Sequence, residues 1–236
     1  MRQEYDVALK AVQVAESYIL SEYKNRSFQT SEKSPKDFVT EADLKAQEMI
    51  VDILTKNSNY PIIAEENIRD ANSDGLAWVI DPIDGTMNFI NNIPMFASVV
   101  GLIDMRDFTS HIGIISLPFF KETYSALKGE GTFLNGDRLV PDKNNIDLAV
   151  VRDRGDNAEV RKEAEEIGHI RNHGCAAYEL TMLAHHKICL YYDDATFLWD
   201  FAAAKAIIEG VGGVMKVTPH DSNDLINTKY AIYAKV

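Results

Sequence analysis

The chain has 236 residues, 46% hydrophobic and 25% charged, enough for one large domain or two intimately packed halves. Lysine and arginine number 24 against 36 aspartates and glutamates, a formal charge of −12. That balance argues against nucleic acid or an anionic membrane as the main partner, yet admits an anionic substrate wherever bound metal ions reverse the local sign.

No apolar run approaches the ~18 residues of a membrane span. The opening residues MRQEYDVALK hold no apolar core ahead of a cleavage site, so no signal peptide is expected. Cys175 and Cys189 form neither a disulfide framework nor a CxxC pair. Each reads as a reduced thiol in or near the core, and a cytoplasmic protein is the simplest expectation.

In chain order, residues 4–23 set Val7, Ala8, Ala11, Val12, Ala15, Tyr18 and Ile19 on one helical face. The polar stretch NRSFQTSEKSPKD predicts a loop. Thr40 is placed to cap a second helix through residue 57, with Leu44, Ile50, Ile53 and Leu54 as its face. YPIIAEE, LAWVID, FASVVGLID and SHIGIISLP read as strands, and KETYSALKGEGTFLNGDRLV as a hairpin. The second half alternates. LAVVRD is a strand, NAEVRKEAEEIG and AAYELTMLAHHK are helices, and ICLYYDD is a strand. DFAAAKAIIEGVGG is a helix with a glycine stop, and GVMKVTP and KYAIYAKV are closing strands. Packed α/β layers with mixed sheets fit this order, as one domain with a first half to about residue 140 and a second half beyond it.

Carboxylates gather where these elements join. Glu65 and Glu66 close one strand, and Asp81 closes the next, where Pro82 is expected to stop the pairing. Asp84 follows in the turn, and Asp200 opens a helix after Trp199. Glu66 alone reads equally as a solvated charge, and Asp200 alone as a helix N-cap. Asp81 and Asp84, beside Gly85-Thr86 and an apolar run, read as hard oxygen ligands suited to Mg²⁺. Gly85 allows close backbone approach, and successive N–H groups there suit an anion. Carboxylates for a cation beside N–H groups for an anion describe a phosphate site. His185-His186 reads as a basic helix end rather than a pair of ligands.

At these residues the chain resembles the inositol monophosphatase family. WVIDPIDGTMNF is similar to the family's first signature, LWDFAAAKAIIEGVGG to its second, Glu65-Glu66 to its G-E-E, and KDFVTEAD to its D-x-V-T-x-x-D loop. The resemblance implies a layered αβαβα sandwich, a homodimer, and Mg²⁺-dependent, Li⁺-sensitive hydrolysis of a small phosphorylated substrate. It implies as metal ligands Glu65, Asp81, the carbonyl of Ile83, Asp84 and Asp200, holding two or three Mg²⁺. Asp43 and Thr86, with Glu65, match the residues that handle the attacking water. Gly85 and Thr86 match the phosphate-holding N–H groups, and Cys175, Ala176 and Asp193 the substrate-facing positions. Ala64 replaces a usual glycine, Ala204 and Gly210-Val211 depart from the second signature, and Phe197 takes a position that is often polar.

Asp193 is one methylene shorter than the family's usual acid. No basic residue occurs from Tyr191 to Asp200, which points to an inositol or related sugar monophosphate. The alternatives are a phosphatase of fructose 1,6-bisphosphate or adenosine 3′,5′-bisphosphate, and a catalytically weak regulator that binds phosphorylated ligands. The run KYAIYAKV is expected to leave an open strand edge that pairs with a second copy.

Overall fold

The helical spacing of residues 4–23 continues in both directions in the computed structural model of the chain, which describes residues 1–35, 37–66, 68–69, 74–142, 147–155 and 157–236. In chain order the elements are α1 (Arg2–Asn25), β1 (Thr30–Ser34), β2 (Asp37–Thr40), α2 (Glu41–Asn57), β3 (Ile62–Ala64), β4 (Ile68–Arg69) and β5 (Leu76–Asp84). Then come α3 (Thr86–Ile90), β6 (Ala97–Asp104), β7 (Thr109–Leu117), β8 (Glu122–Leu127), β9 (Gly131–Leu134) and β10 (Asp137–Arg138). The second half holds β11 (Leu148–Arg152), α4 (Ala158–Ile167), β12 (His169–Arg171), α5 (Ala176–Ala184) and β13 (Leu190–Thr196). It ends with α6 (Leu198–Gly210), β14 (Val214–Pro219) and β15 (Tyr230–Lys235).

Among the described residues, one sheet runs β10-β9-β8-β7-β6-β5-β3-β4 and another β12-β11-β13-β15-β14. Both are mixed: β3 runs parallel to β5, and β11 parallel to β12 and β13, while the other pairings are antiparallel. Alternation along β5 sorts the core. Trp78 and Ile80 face α1 and α2, whereas Ala77 and Val79 face α5, α6 and the second sheet. Ala149 and Leu190, on the far side of the second sheet, pack on Ala164 of α4. The layers are therefore αβαβα, as the resemblance implies.

The central helix α6 comes unusually close to the large sheet. A Cβ on Gly101 would lie 2.9 Å from the Ala203 nitrogen, and one on Gly113 would collide with the Ala203 carbonyl. Ser110 Oγ donates to the Ala202 carbonyl at 2.7 Å and Thr132 Oγ1 to that of Ile207 at 2.6 Å. These contacts fix the helix that carries Asp200.

Four expectations change. The stretch expected as a loop before Thr40 forms the β1–β2 hairpin, because Thr30 pairs with Thr40 and Ser31 with Val39. Leu44 is 50% exposed, and Ala42, Asp43, Ala46 and Gln47 take the inner face of α2 with Ile50 and Leu54. Pro82 does not end β5. Asp81 pairs with Val99 and Asp84 with Ala97, so one extra residue is accommodated as a bulge and pairing resumes. The closing run is not an edge, since β15 pairs with β13 on one side and β14 on the other. The open-edge argument for a second copy is thereby removed.

Candidate functional site

The bulge in β5 explains how two acids three positions apart share one environment. Strict alternation would send Asp81 and Asp84 to opposite faces, and one added residue returns them to the same side. Glu65 is tied beside them, because its N–H donates to the Ile80 carbonyl at 3.1 Å. Asp200 enters from α6, where its Oδ2 accepts the N–H of the capping residue Phe197 at 2.8 Å. It stands at the third helical position rather than at the N-cap, and its carboxylate satisfies the backbone N–H of a cap residue whose own side chain cannot bond.

These acids act on one another electrostatically. Burial pushes Asp81 well above the usual carboxylate range, and the charges of Glu65, Asp84 and Asp200 push it further. Burial and the Asp84 charge do the same to Asp200. Asp84 is raised by burial as well, but the N–H of Ala177, the Cys175 thiol and the charge of Arg152 pull against that rise. Its Oδ2 accepts from the Ala177 nitrogen at 2.5 Å, at the start of α5, where backbone N–H groups favour an anion.

Gly85 is required twice. Its φ of 85° lies in the left-handed region, and an added Cβ would come within 3.0 Å of Cys175 Cβ and the Met95 carbonyl. Thr86 then opens α3. Its hydroxyl lies 3.0 Å from the Ile83 carbonyl and 3.3 Å from Asp43 Oδ1. Asp43 is fixed from its other side by Thr40, whose N–H and hydroxyl donate to Oδ2 at 2.9 and 2.5 Å. Thr40 caps α2 in return, accepting from Ala42 and Asp43 nitrogens, as its position in sequence foretells. Burial raises Asp43 to about 7 against the pull of those Thr40 bonds, with Glu65 and Glu66 adding to the rise.

The donor set suits a hard divalent cation. Asp81 Oδ1 is buried with no hydrogen-bond partner, and its neighbours repel it, which are the two deficits a cation would remove. Among the described residues, no group of three acidic, histidine or cysteine side chains already stands in metal-holding geometry. Glu65 is instead drawn to an ammonium: Lys33 Nζ lies 2.9 Å from Glu65 Oε1 and 2.8 Å from Glu66 Oε1. Glu66 is therefore a buried, paired acid and not a solvated charge.

The expected substrate-facing residues are less open than the sequence suggests. Cys175 and Ala176 are buried, and the thiol points to Asp84 Oδ2 at 3.3 Å. Asp193 is buried and paired with Arg152, the strand residue directly opposite it in register. Asp194 Oδ2 accepts the N–H groups of Arg154 and Gly155 at 2.8 and 2.6 Å. The absence of a basic residue from Tyr191 to Asp200 thus gave an incomplete picture, because the cation arrives from β11. Phe197 stacks on Trp199, with ring centroids 4.9 Å apart. His185 follows the end of α5 and meets Tyr124 Oη at 3.2 Å.

Sequence reasoning missed several supporting residues. Gln47 clamps the Glu66 backbone with bonds of 2.9 and 3.0 Å, and Asn88 Nδ2 joins the carbonyls of Met95 and His173, both at 2.7 Å. Glu179 is a lone acid within the apolar helix AAYELTMLA, which was a usable signal. Lys33 and Arg152 had none, since only strand pairing brings them to the acids.

A model of the inositol monophosphatase family matches residues 1–235. The chain is 31% identical over 216 residues to a fructose-1,6-bisphosphatase/inositol-1-monophosphatase of Aquifex aeolicus, covering 86% of this chain and 81% of that protein. It is 31% identical over 231 residues to the Nus factor SuhB of Pasteurella multocida, covering 91% and 85%. The solved structure of the extragenic suppressor protein SuhB from Bartonella henselae superposes with a TM-score of 0.81 at 26% identity, covering 97% of this chain and 92% of that one.

Proposed function

The chain belongs to the inositol monophosphatase family, and from that premise we propose that it hydrolyses a small phosphate monoester, an inositol monophosphate or related sugar or polyol monophosphate, with Mg²⁺. As a member of that family it is a phosphatase, a phosphoric monoester hydrolase. The observation that carries the reading is the buried set Asp81, Asp84 and Asp200, whose charges act on one another beside the Asp43–Thr86 contact.

Glu65, Asp81, the carbonyl of Ile83, Asp84 and Asp200 would hold the ions. Bound there, Mg²⁺ would supply positive charge to the phosphoryl oxygens and make water a better nucleophile. Three divalent ions balance those four carboxylates and a phosphate dianion, and two suffice before substrate arrives. Thr86 orients the attacking water and Asp43 takes its proton, while the N–H groups of Gly85 and Thr86 hold phosphate oxygens. The same reading includes Li⁺ sensitivity, a homodimer and a cytoplasmic setting. A monomer by light scattering at micromolar concentration would remove the dimer.

A second reading rests on the likeness to the Nus factor SuhB: a weak or silent enzyme that binds phosphorylated ligands or partners as a regulator. Purified protein with several phosphomonoesters and Mg²⁺ separates the two. Release of phosphate above a metal-free blank supports the enzyme, and no release from any ester supports the regulator.

A further inference from the structure

The short helix α3 bonds to a different neighbour on each of two sides. Thr86 and Asn88 stand two positions apart, about 200° of helical rotation. Thr86 meets Asp43, and Asn88 meets the chain that leads into α5. Asn88 Nδ2 donates to the Met95 and His173 carbonyls, both at 2.7 Å, so both amide hydrogens are used. Asn88 itself is buried, at 9% exposure.

The same two segments close on Gly85, where an added Cβ would lie 3.0 Å from the Met95 carbonyl and from Cys175 Cβ. Gly174, at φ 76°, runs so near the Asn88 amide that a Cβ on it would meet Oδ1 at 3.3 Å. The His173 carbonyl is taken by Asn88 and its N–H by Glu179 Oε1 at 2.5 Å. Side chains, and not a helix or a sheet ladder, therefore fix this stretch. Its far end is what holds Asp84. The Ala177 N–H donates to Asp84 Oδ2 at 2.5 Å, and the Cys175 thiol points to the same oxygen at 3.3 Å. Both fall on Oδ2, so they turn the carboxylate as well as hold it.

We propose that Asn88 is a positioning residue for this site: by tying the 173–177 stretch to the turn that carries Asp84, Gly85 and Thr86, it fixes the direction in which Asp84 presents its carboxylate to a divalent cation. This deepens the phosphatase reading and rests on it. Asn88 acts through the backbone that holds Asp84 and touches neither cation nor substrate. Removing a group that orients a metal ligand typically costs about 10–100-fold in metal affinity or activity. A side chain that merely stabilised the fold would lower the melting temperature and leave the affinity of the folded protein for Mg²⁺ unchanged.

In Asn88→Ala, the calorimetric affinity for Mg²⁺ should fall about tenfold, the lower end of that range, because Asn88 stands behind the backbone donor. With myo-inositol 1-phosphate, kcat should fall with it while KM changes little. In the metal-free protein the Ala177 amide should exchange its hydrogen faster, while amides of β6 and β7 keep their protection. Val12→Ala, a buried change in α1 that weakens packing alone, should leave the affinity and the exchange at Ala177 as in the wild type. If Asn88→Ala does not fold, Asn88→Ser has a single donor too short to span both carbonyls, and the same losses are expected. Unchanged Mg²⁺ affinity in folded N88A or N88S, or an equal loss in Val12→Ala, overturns the role of Asn88 alone. If the wild type neither binds Mg²⁺ nor hydrolyses the ester, the phosphatase reading falls and this one with it.

Discussion

The Thr86 hydroxyl sits between Asp43 Oδ1 at 3.3 Å and the Ile83 carbonyl at 3.0 Å, and one hydrogen serves both acceptors. A cation taking the Ile83 carbonyl would leave that hydrogen to Asp43 and free the hydroxyl oxygen to accept from water. Thr86→Ala should then lower kcat by roughly 10²-fold, the usual contribution of a positioned proton-transfer group. Metal affinity should change little, because the hydroxyl is not a ligand. Parallel loss of Mg²⁺ affinity in a metal titration would show that Thr86 belongs to the ligand set instead.

Asp84→Asn should keep the fold, because its amide oxygen can still accept the Ala177 N–H that Asp84 accepts at 2.5 Å. Turnover should fall roughly 10²-fold or more, as one charge is removed from the cation site. Circular dichroism checks the fold, and wild-type turnover in a folded variant would exclude Asp84 from the chemistry.

The buried acids make a prediction about pH in the metal-free protein. Asp43 and Glu179 are both raised, each to about 7, chiefly by burial. A carboxyl raised on folding binds more protons in the native state than in the unfolded one, so stability falls as pH rises between the two values. From about pH 4 to about pH 7 the melting temperature in EDTA should drop, by about 2–4 °C for each kcal/mol lost at this chain length. Added Mg²⁺ should flatten or reverse the trend, because it favours the ionised acids. A melting temperature that rises with pH in EDTA would contradict the burial argument.

A second phosphate approaching Asp193 and Asp194 meets acids whose local cation, Arg152, is already shared with Glu179. Monophosphates should therefore lead fructose 1,6-bisphosphate and adenosine 3′,5′-bisphosphate in kcat/KM at fixed Mg²⁺. A tenfold lead for either bisphosphate, about 1.4 kcal/mol of transition-state preference, would mean that Arg152 can leave its carboxylates for the ligand.

Most of the helices and strands, and the close spacing of Asp81 and Asp84, were legible in the sequence, because those signals are local. Alternation in LAWVID and the 3.6-residue spacing of residues 4–23 each belong to one element, and WVIDPIDGTMNF places Asp81, Asp84, Gly85 and Thr86 within one strand and the turn after it. Thr40 was legible as a cap for the same reason. Tertiary structure alone decided what those acids meet. Pro82 terminated a strand on paper and made a bulge in the sheet, because the partner Ala97 remains available to Asp84. The β1–β2 hairpin delivers Lys33 to Glu65 and Glu66, and parallel pairing of β11 with β13 delivers Arg152 to Asp193, 41 positions away. Pairings of that range leave no periodicity in either segment, since register is set by the sheet as a whole and not by the residues flanking each charge.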